Sequence, residues 1–356
     1  MKRVTIADIA RHAGTSTAVV SYVLNPGTRP VSERLRARVV EAMDTLDYRP
    51  DRNARALRRQ TRWGQIGLLV PDLTFPLYGI FAGSIVREGR ARKQLVITGN
   101  TGFDQTVESE LVQGFADVGV EGLIVTGILD GESTAQICQA ARIPVVWMHT
   151  NRNVVGSRIV TADHVRAGRL AAQHLVEHGR NSIVFVGGFD ESDTLSGDRD
   201  TVYQRYLGYE SVVGGGARHI ATDLTLRGAY TRLSAYVSDD KPLDGIVIGT
   251  YGQAAAVVRA LTDAGLSVPG DVAVVAFDGD TRNSYGQIVL STVQQHVDLM
   301  AETALDLAVG VRPDLEEPPP PFDVYLATGD SCGCEPAPLM LEQMGSPLTD
   351  ADNTCR

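Results

Sequence analysis

The stretch that decides how this chain begins to fold runs from residue 4 to residue 58. It reads VTIADIARHAGTSTAVVSYVLN (4–25), then VSERLRARVVEAMDTLDYRP (31–50), then DRNARALR (51–58). Thr5 and Asp8 have the spacing of a capping pair that opens a first helix, and Gly14 supplies a turn. Ser16 can cap a second helix, and Ser32 a third. The pattern predicts a helix-turn-helix followed by a supporting helix.

The second helix of this segment has two chemically different faces. Its inward face is apolar, and its outward face consists of small or hydrogen-bonding residues, namely Thr17, Ala18, Ser21, Tyr22 and Asn25. Such a face can enter the major groove of DNA, where long acidic side chains would be repelled. We therefore predict a DNA-binding head over residues 1–50, with Thr5 and Ser16 added to the contact set. The alternative is a small helical bundle whose polar face simply meets water.

Charge is distributed unevenly along the chain. The formal net charge is −10 over 356 residues, yet residues 1–60 contain 12 Lys and Arg against 6 Asp and Glu. The head is therefore basic (+6) and the remainder acidic (−16). A basic head on an acidic body favours contact of the head, and not of the body, with phosphates.

Several ordered motifs resemble the LacI/GalR family of bacterial transcription regulators. They are TIADIARHAG (5–14), VVSYVLN (19–25), VSERLR (31–36), LDYRP (46–50) and ARALR (54–58). The resemblance continues through the body to about residue 330. It implies an operator-binding homodimer, most simply a repressor, whose double-stranded DNA binding is controlled by a small-molecule effector.

Residues 51–62 join head to body and are too short to form a stable isolated helix in water. The resemblance implies that they are a hinge helix that folds against DNA. Its contact residues would be Arg52, Ala54, Arg55 and Leu57, with Leu57 as an apolar wedge in the minor groove. An ordinary linker leucine is the alternative for Leu57.

From Trp63 onward, short apolar runs alternate with amphipathic helical patterns. The predicted strands are 66–70, 95–99, 122–126, 144–148, 183–188, 245–249 and 272–277. This alternation predicts an α/β body with parallel sheets. The resemblance implies two periplasmic-binding-protein-like lobes within residues 63–335: lobe one about 63–161 and 291–322, lobe two about 162–290 and 323–335. The tail, 336–356, is expected to be disordered.

Ligands of open α/β sheets bind beyond the carboxyl ends of strands, so the effector is expected between the lobes. The candidates there are Phe75, Tyr78, Arg199, Thr201, Arg205 and Asp278. Arg205 stands in RYLGY (205–209), which resembles the family's Arg-x-x-Gly-aromatic segment and implies effector binding by that arginine. A sugar is favoured, because it is the commonest effector class in the family, and a purine or nucleoside is the second choice. Surface or core roles remain open for each residue, above all for Phe75.

This chain departs from the family pattern at three places. Tyr22 replaces the usual arginine of the recognition helix, so the operator half-site is expected to differ. Ala162-Asp163 replaces the usual Asp-Asn, and Tyr251 replaces the usual Asp. We expect the changes at Ala162-Asp163 and at Tyr251 to touch the cleft and to alter the identity of the ligand.

Other classes of protein are weakly supported. The chain has no P-loop, no G-x-S-x-G elbow and no dinucleotide-binding fingerprint, so neither an enzyme nor a cofactor is predicted. A solute-binding protein without DNA function would need export, and the N-terminus has no signal-peptide core. We therefore expect a cytoplasmic, nucleoid-associated protein with no membrane partner. Cys332, Cys334 and Cys355 cluster near the end, but with no histidine nearby in sequence no metal site is predicted.

Overall fold

The computed structural model describes residues 5–24, 31–46, 63–127, 131–150, 158–189, 198–239, 241–279, 287–310 and 318–335. The chain divides into two compact units, residues 1–62 and 63–356. Some predicted functional residues lie outside the described residues, namely Asn25, Arg52, Ala54, Arg55 and Leu57. The expected tail also lies outside them.

The first unit contains three helices: α1 (Ile6–His12), α2 (Thr17–Leu24) and α3 (Glu33–Thr45). The capping box between Thr5 and Asp8 is present at the start of α1. Ser16 Oγ accepts a hydrogen bond from Val19 N (3.3 Å) at the start of α2. The small core includes one residue from each helix, Ile9, Val20 and Val39. The predicted all-α head is confirmed.

The second unit begins with a five-stranded parallel sheet of order β2-β1-β3-β4-β5. Its strands are β1 (Gly64–Val70), β2 (Gln94–Asn100), β3 (Gly122–Thr126), β4 (Val145–Met148) and β5 (Ile159–Val160). Its helices in chain order are α4 (Pro76–Ala91), α5 (Gln105–Val118) and α6 (Gly131–Ala141). This sheet and its helices form lobe one.

Alternate residues of the strands face opposite layers of helix. Ile66 and Leu68 pack in the same core as Phe81 of α4, whereas Leu69 packs with Phe115 of α5. Both faces of the sheet are therefore covered. This explains why its strands read as continuous apolar runs and not as alternating ones.

Lobe two contains a six-stranded sheet of order β11-β10-β9-β8-β6-β7, parallel except for the antiparallel pair β10–β11. The strands are β6 (Ile183–Gly187), β7 (Arg218–Ala221), β8 (Gly245–Ile248), β9 (Ala273–Phe277), β10 (Ser291–Gln295) and β11 (Val324–Ala327). The helices are α7 (His164–Glu177), α8 (Asp198–Val213), α9 (Leu226–Ser238) and α10 (Ala254–Asp263). All seven predicted strands are confirmed, as is the α/β class of the body.

The chain crosses between the lobes at three places. The first and third crossings pair with each other: Phe322 N donates to Thr161 O (2.8 Å) and Asp163 N donates to Phe322 O (2.9 Å). The second follows β10, after which α11 (Val297–Ala308) returns to pack on α4 and β3 of lobe one. The predicted boundary near 290 is therefore five residues early, because residues 291–295 pair with β9 in the sheet of lobe two.

Within the described ranges, no helix combines the length and the apolarity that crossing a membrane requires.

Candidate functional site

A small cavity of about 40 Å³ lies between the two lobes. Lobe one contributes residues from the start of α4 and the end of β4, and lobe two contributes residues from α8 and from the ends of β8 and β9. Five of the six predicted cleft residues line it: Phe75, Tyr78, Thr201, Arg205 and Asp278. Arg199 lies in the first turn of α8, and its side chain is not among the described ones.

Arg205 and Asp278 form a buried ion pair at the centre of this cavity. Arg205 Nη2 donates to Asp278 Oδ2 (2.6 Å), and the two side chains are 3% and 4% exposed. Arg205 Nη1 donates to Gly249 O (2.8 Å), and the guanidinium lies 4.4 Å from the centroid of the Phe277 ring. A buried charge of this kind is tolerated because it is both paired and hydrogen-bonded.

Asp278 is held from a second direction by a residue that sequence reasoning did not single out. Gln295, at the end of β10, donates from Nε2 to Asp278 Oδ1 (2.7 Å). Asp278 itself has a left-handed φ of +57°, and its N–H donates to Val293 O (2.9 Å). The sequence signal that could have identified Gln295 is its position as the last residue of β10, beside the strand after which Asp278 follows.

Glycines set the position of Arg205 relative to α7. A Cβ placed on Gly168 would lie 1.8 Å from Arg205 O, and one on Gly208 would lie 2.0 Å from Val165 O. Helices α7 and α8 therefore cross with their backbones in contact. Tyr209, fully buried, fixes the same helix to the sheet by donating to Ile183 O (2.9 Å). This packing gives a physical reason for the Gly-aromatic pair that follows Arg205.

Two buried histidines, His149 of lobe one and His164 of lobe two, pack together at the cavity, and His149 lines it. His149 follows β4 with a left-handed φ of +58°, and its ring is 5.0 Å from that of His164 at the start of α7. Burial, and then the nearby positive charge of Arg205, lowers the pKa of His149 to about 4. The same two causes, in that order, lower the pKa of His164 well below its ordinary value. Both rings are therefore neutral near pH 7.

Aromatic side chains form the remaining wall of the cavity. The ring of Phe75 makes edge contacts with Tyr78 (6.4 Å) and with Phe103 (5.7 Å). Tyr78 is buried, and its hydroxyl has no hydrogen-bond partner among the described residues. A wider groove of about 1120 Å³ shares Phe75 and Tyr251 with the cavity and therefore adjoins it.

The two departures from the family pattern in the body fall in different environments. Tyr251 lines the cavity, as expected. Asp163 instead caps α7 by accepting from Arg166 N (2.8 Å), and Ala162 is a fully buried residue bridged to Phe322 in the lobe crossing. The expectation that these two residues touch the ligand site is not supported.

In the head, the outer face of α2 has the predicted character. Thr17 and Ala18 are exposed, and Ser21 and Tyr22 are partly exposed. Arg38, which sequence reasoning did not single out, donates from α3 to Ala13 O and to Gly14 O (3.2 Å). This contact fastens α3 to the turn that sets the angle between α1 and α2.

The prediction that no histidine accompanies the C-terminal cysteines is wrong. His174 and His178 of α7 lie beside Cys332 and Cys334, with the four ligand atoms within 4.8 Å of one another. The error arose because nearness was judged along the chain, whereas the fold brings α7 against the segment that follows β11.

Comparison with known proteins matches both units. A model described as "Bacterial regulatory proteins, lacI family" matches residues 5–51, and one described as "Periplasmic binding protein-like domain" matches residues 172–332. Catabolite control protein A of Staphylococcus xylosus is 30% identical over 315 residues, which covers 87% of this chain and 91% of that protein. The ribose operon repressor of Escherichia coli K12 is 28% identical over 315 residues, 86% and 92% of the two chains.

Solved structures are similar over most of the chain. The lac repressor dimer bound to operator and the anti-inducer ONPF has a TM-score of 0.71 at 22% identity, covering 93% of this chain and 99% of that one. A complex of the transcriptional regulator CelR with cellobiose has a TM-score of 0.65 at 23% identity, covering 92% and 100%. These likenesses confirm the periplasmic-binding-protein-like arrangement of the fold.

Proposed function

Because this chain belongs to the lacI family of bacterial regulatory proteins, it is a DNA-binding transcription regulator, and we propose that it is a dimeric repressor controlled by a sugar. The sugar would bind in the cavity between the lobes and change the affinity of the head for its operator. Such a protein acts on the nucleoid, in the cytoplasm. The observation that carries the effector proposal is the buried Arg205–Asp278 pair in that cavity.

The DNA contacts are assigned to the outer face of α2. Thr17 and Ala18 are small and exposed, and Tyr22 supplies one hydroxyl and a ring. Tyr22 can make a single hydrogen bond or a thymine-methyl contact where an arginine would bond a guanine edge twice. Thr5 and Ser16, whose side chains cap α1 and α2, would orient helix N-termini toward phosphates. A two-fold dimer would present two such helices to a near-palindromic operator.

The hinge contacts remain proposals of the same kind. Arg52 and Arg55 would neutralise phosphates. Leu57, on the same side of the hinge helix as Ala54, would enter the minor groove at the operator centre. Effector binding would then alter the operator affinity by changing how the two lobes meet.

The polar atoms of the cavity suit a polyhydroxyl ligand. Arg205 Nε, Tyr78 Oη and His149 Nδ1 are buried and have no hydrogen-bond partner among the described residues. A sugar hydroxyl both donates and accepts, so one group can take a hydrogen bond from Arg205 while donating to Asp278. Leaving such buried groups unpaired is unfavourable, and a ligand with several hydroxyls removes that cost.

The size of the cavity indicates that binding requires opening. Its volume of about 40 Å³ has room for only a few water molecules, since one water needs about 10–15 Å³ of such space. A monosaccharide therefore fits only if the lobes part or Arg205 and Asp278 separate. Two relatives have names that mention a sugar or sugar-bound state, the ribose operon repressor and the CelR–cellobiose complex, and they support this ligand class.

A purine or nucleoside is the second candidate. Phe75 and Tyr251 place aromatic rings at the edge of the cavity, where a planar base could stack, and Phe103 supports the ring of Phe75. Asp278 can accept from a ring N–H as well as from a hydroxyl.

Thermal shift combined with DNA binding tests the proposal. The full-length protein is screened against mono- and disaccharides, sugar phosphates, purines and nucleosides. A hit is then added during anisotropy titrations of an operator duplex that the protein itself has selected from random sequences. We expect one sugar class to raise the Tm and to change operator affinity by tenfold or more, on the order of 1–3 kcal/mol of coupling.

Variants separate the effector site from the DNA site. At a temperature where circular dichroism shows Arg205→Met to be folded, this variant should lose both the Tm rise and the change in operator affinity, while its ligand-free operator affinity stays near wild type. Arg92→Met is the matched control, because Arg92 is also ion-paired, to Glu88 and Asp306, but lies in lobe one away from the cavity. A response confined to nucleosides would establish the second candidate. A sugar response that survives in Arg205→Met would contradict the assignment of this site.

A further inference from the structure

Four side chains of types that can ligate a metal converge at the C-terminus of α7 in lobe two. His174 lies in the last turn of α7 and His178 is its C-cap residue, and Cys332 and Cys334 flank Gly333 in the segment after β11. Their ligand atoms all lie within 4.8 Å of one another. The two histidines and two cysteines come from segments about 160 positions apart in sequence, so the fold alone brings them together.

Three nitrogen–sulfur distances are close to the edges of a tetrahedral site. Cys332 Sγ is 3.0 Å from His174 Nε2, and Cys334 Sγ is 3.7 Å from His174 Nε2 and 3.3 Å from His178 Nε2. A tetrahedral zinc ion with Zn–S of about 2.3 Å and Zn–N of about 2.0–2.1 Å requires N···S edges of roughly 3.5 Å. The remaining ligand atoms lie within 4.8 Å of one another, so side-chain shifts of up to about an ångström would bring all four onto one ion.

The loop that carries the thiols is anchored on the sheet. Ser331 Oγ donates to Val274 O (2.6 Å), and Ser291 Oγ donates to Cys332 Sγ (2.9 Å). Gly333 has a left-handed φ of +94°, a conformation that turns the chain so that both thiols face α7. A hydroxyl bonded to a ligating sulfur and a loop held before metal arrives are the outer-shell features that support metal sites.

We propose that His174, His178, Cys332 and Cys334 form a zinc site that joins α7 to the C-terminal segment of lobe two. Two thiolates and two neutral imidazoles balance the charge of a divalent ion and complete four-coordination. This ligand set is that of closed, structural zinc sites. It has no carboxylate, so it does not suit magnesium or calcium, which prefer oxygen ligands. His178 is exposed and Cys334 partly exposed, which leaves a path for the ion to enter.

The site lies apart from the proposed effector cavity and does not depend on it. Its expected role is to stabilise lobe two, because it ties α7, which packs against the helix of Arg205, to the segment that follows β11. Metal binding to the folded state, but not to the unfolded chain, raises the stability by mass action.

Metal titration of the full-length protein tests the proposal. The reduced protein is stripped with a chelator, and zinc sulfate is added in competition with a chromogenic chelator. We expect one tightly held zinc per chain and a rise in Tm. Cobalt(II) in place of zinc should show the visible bands of a tetrahedral ion together with thiolate charge transfer in the near ultraviolet.

Two variants remove exposed or half-exposed ligands and should leave the fold intact: Cys334→Ser and His178→Ala. Each should weaken zinc binding at least tenfold and abolish the tetrahedral cobalt spectrum. Cys138→Ser, at a buried thiol in α6 of lobe one, and His12→Ala, at an exposed imidazole of the head, are the controls outside the cluster, and both should bind zinc as wild type. Far-ultraviolet circular dichroism checks that each variant is folded.

Three results would overturn the proposal. One is wild-type protein that takes up no zinc after reduction. Another is unchanged zinc affinity in both Cys334→Ser and His178→Ala. The third is a Cys332–Cys334 disulfide, seen as a protein mass lower by two hydrogen atoms, that persists in mild reductant and prevents metal binding.

Discussion

Substituting Gly168 by alanine should push α8 away from α7 and destabilise the body. The added Cβ would lie 1.8 Å from the carbonyl oxygen of Arg205, 2.6 Å from its carbonyl carbon and 2.9 Å from its Cα. Ordinary C···O contacts are about 3.3 Å or longer, so the helices must separate by roughly 1.5 Å. All three atoms are backbone, and no side-chain rotation can relieve the overlap.

The magnitude follows from two opposing effects. Alanine in place of glycine within a helix gains about 1 kcal/mol of helix propensity. Separation opens gaps around Ala171, Val202 and Tyr209, all fully buried at this interface, and a gap of about 1 Å forfeits a quarter to a half of each dispersion contact. Forcing extra volume into a packed interface costs about 1–3 kcal/mol, and here the obstacle is rigid. We therefore expect a net loss of about 2 kcal/mol.

Urea unfolding of the full-length protein, followed by circular dichroism, measures this loss. Gly114→Ala is the matched control, because Gly114 also lies inside a helix, α5, and a Cβ there meets nothing within 4 Å. Gly114→Ala should be neutral or stabilising by up to about 1 kcal/mol. If Gly168→Ala proves as stable as Gly114→Ala, the backbone contact between α7 and α8 is not the constraint described here.

The remaining predictions concern the charged and titrating groups of the cavity. Arg205→Met should lower the free energy of unfolding by about 3–5 kcal/mol, because it leaves Asp278 buried without its partner. The Arg205→Met/Asp278→Asn double variant should lose clearly less than the sum of the two single variants. Strict additivity of the three losses, measured by urea unfolding, would argue against the coupling. The pKa of His149 is about 4 in the folded protein against an ordinary 6.5. As the pH falls from 6.5 to 4, the unfolded chain therefore binds a proton at this histidine before the folded chain does, and the free energy of unfolding falls by roughly 3 kcal/mol. His149→Gln should flatten that decline in the free energy of unfolding by urea, and parallel curves for His149→Gln and wild type would contradict the burial argument.

The regular elements of the body were predictable from sequence where strands are apolar. Strands such as β3 (Gly122–Thr126) are buried on both faces, so their apolar composition identifies them directly. Strands β5, β7 and β11 are only two to four residues long, and β10, STVQQ, is mostly polar. Such strands carry little local signal, because pairing with neighbours and not composition determines them.

The candidate site was predictable as a set of positions and not as a set of contacts. Arg205 and Asp278 could be placed near each other because both lie at the carboxyl edge of one parallel sheet. That they bond directly, with Gln295 as a third partner, depends on helix packing at Gly168 and on the register of β9 with β10. The cluster of His174 with Cys332 escaped for the same reason, since sequence spacing contains no information about which helix meets which strand end.

The return of α11 to lobe one constrains how the protein is made. Met300 and Ala304 of α11 are buried in the core that also holds Phe81 and Ile85 of α4. During synthesis from the N-terminus, that apolar face of α4 emerges long before the helix that covers it, and nearly all of lobe two is translated in between. Lobe one therefore stays incomplete on the ribosome until late in translation, with part of its core open to water or to a chaperone. Synonymous changes that slow translation between β5 and α11 should consequently lower the yield of native protein without altering any residue.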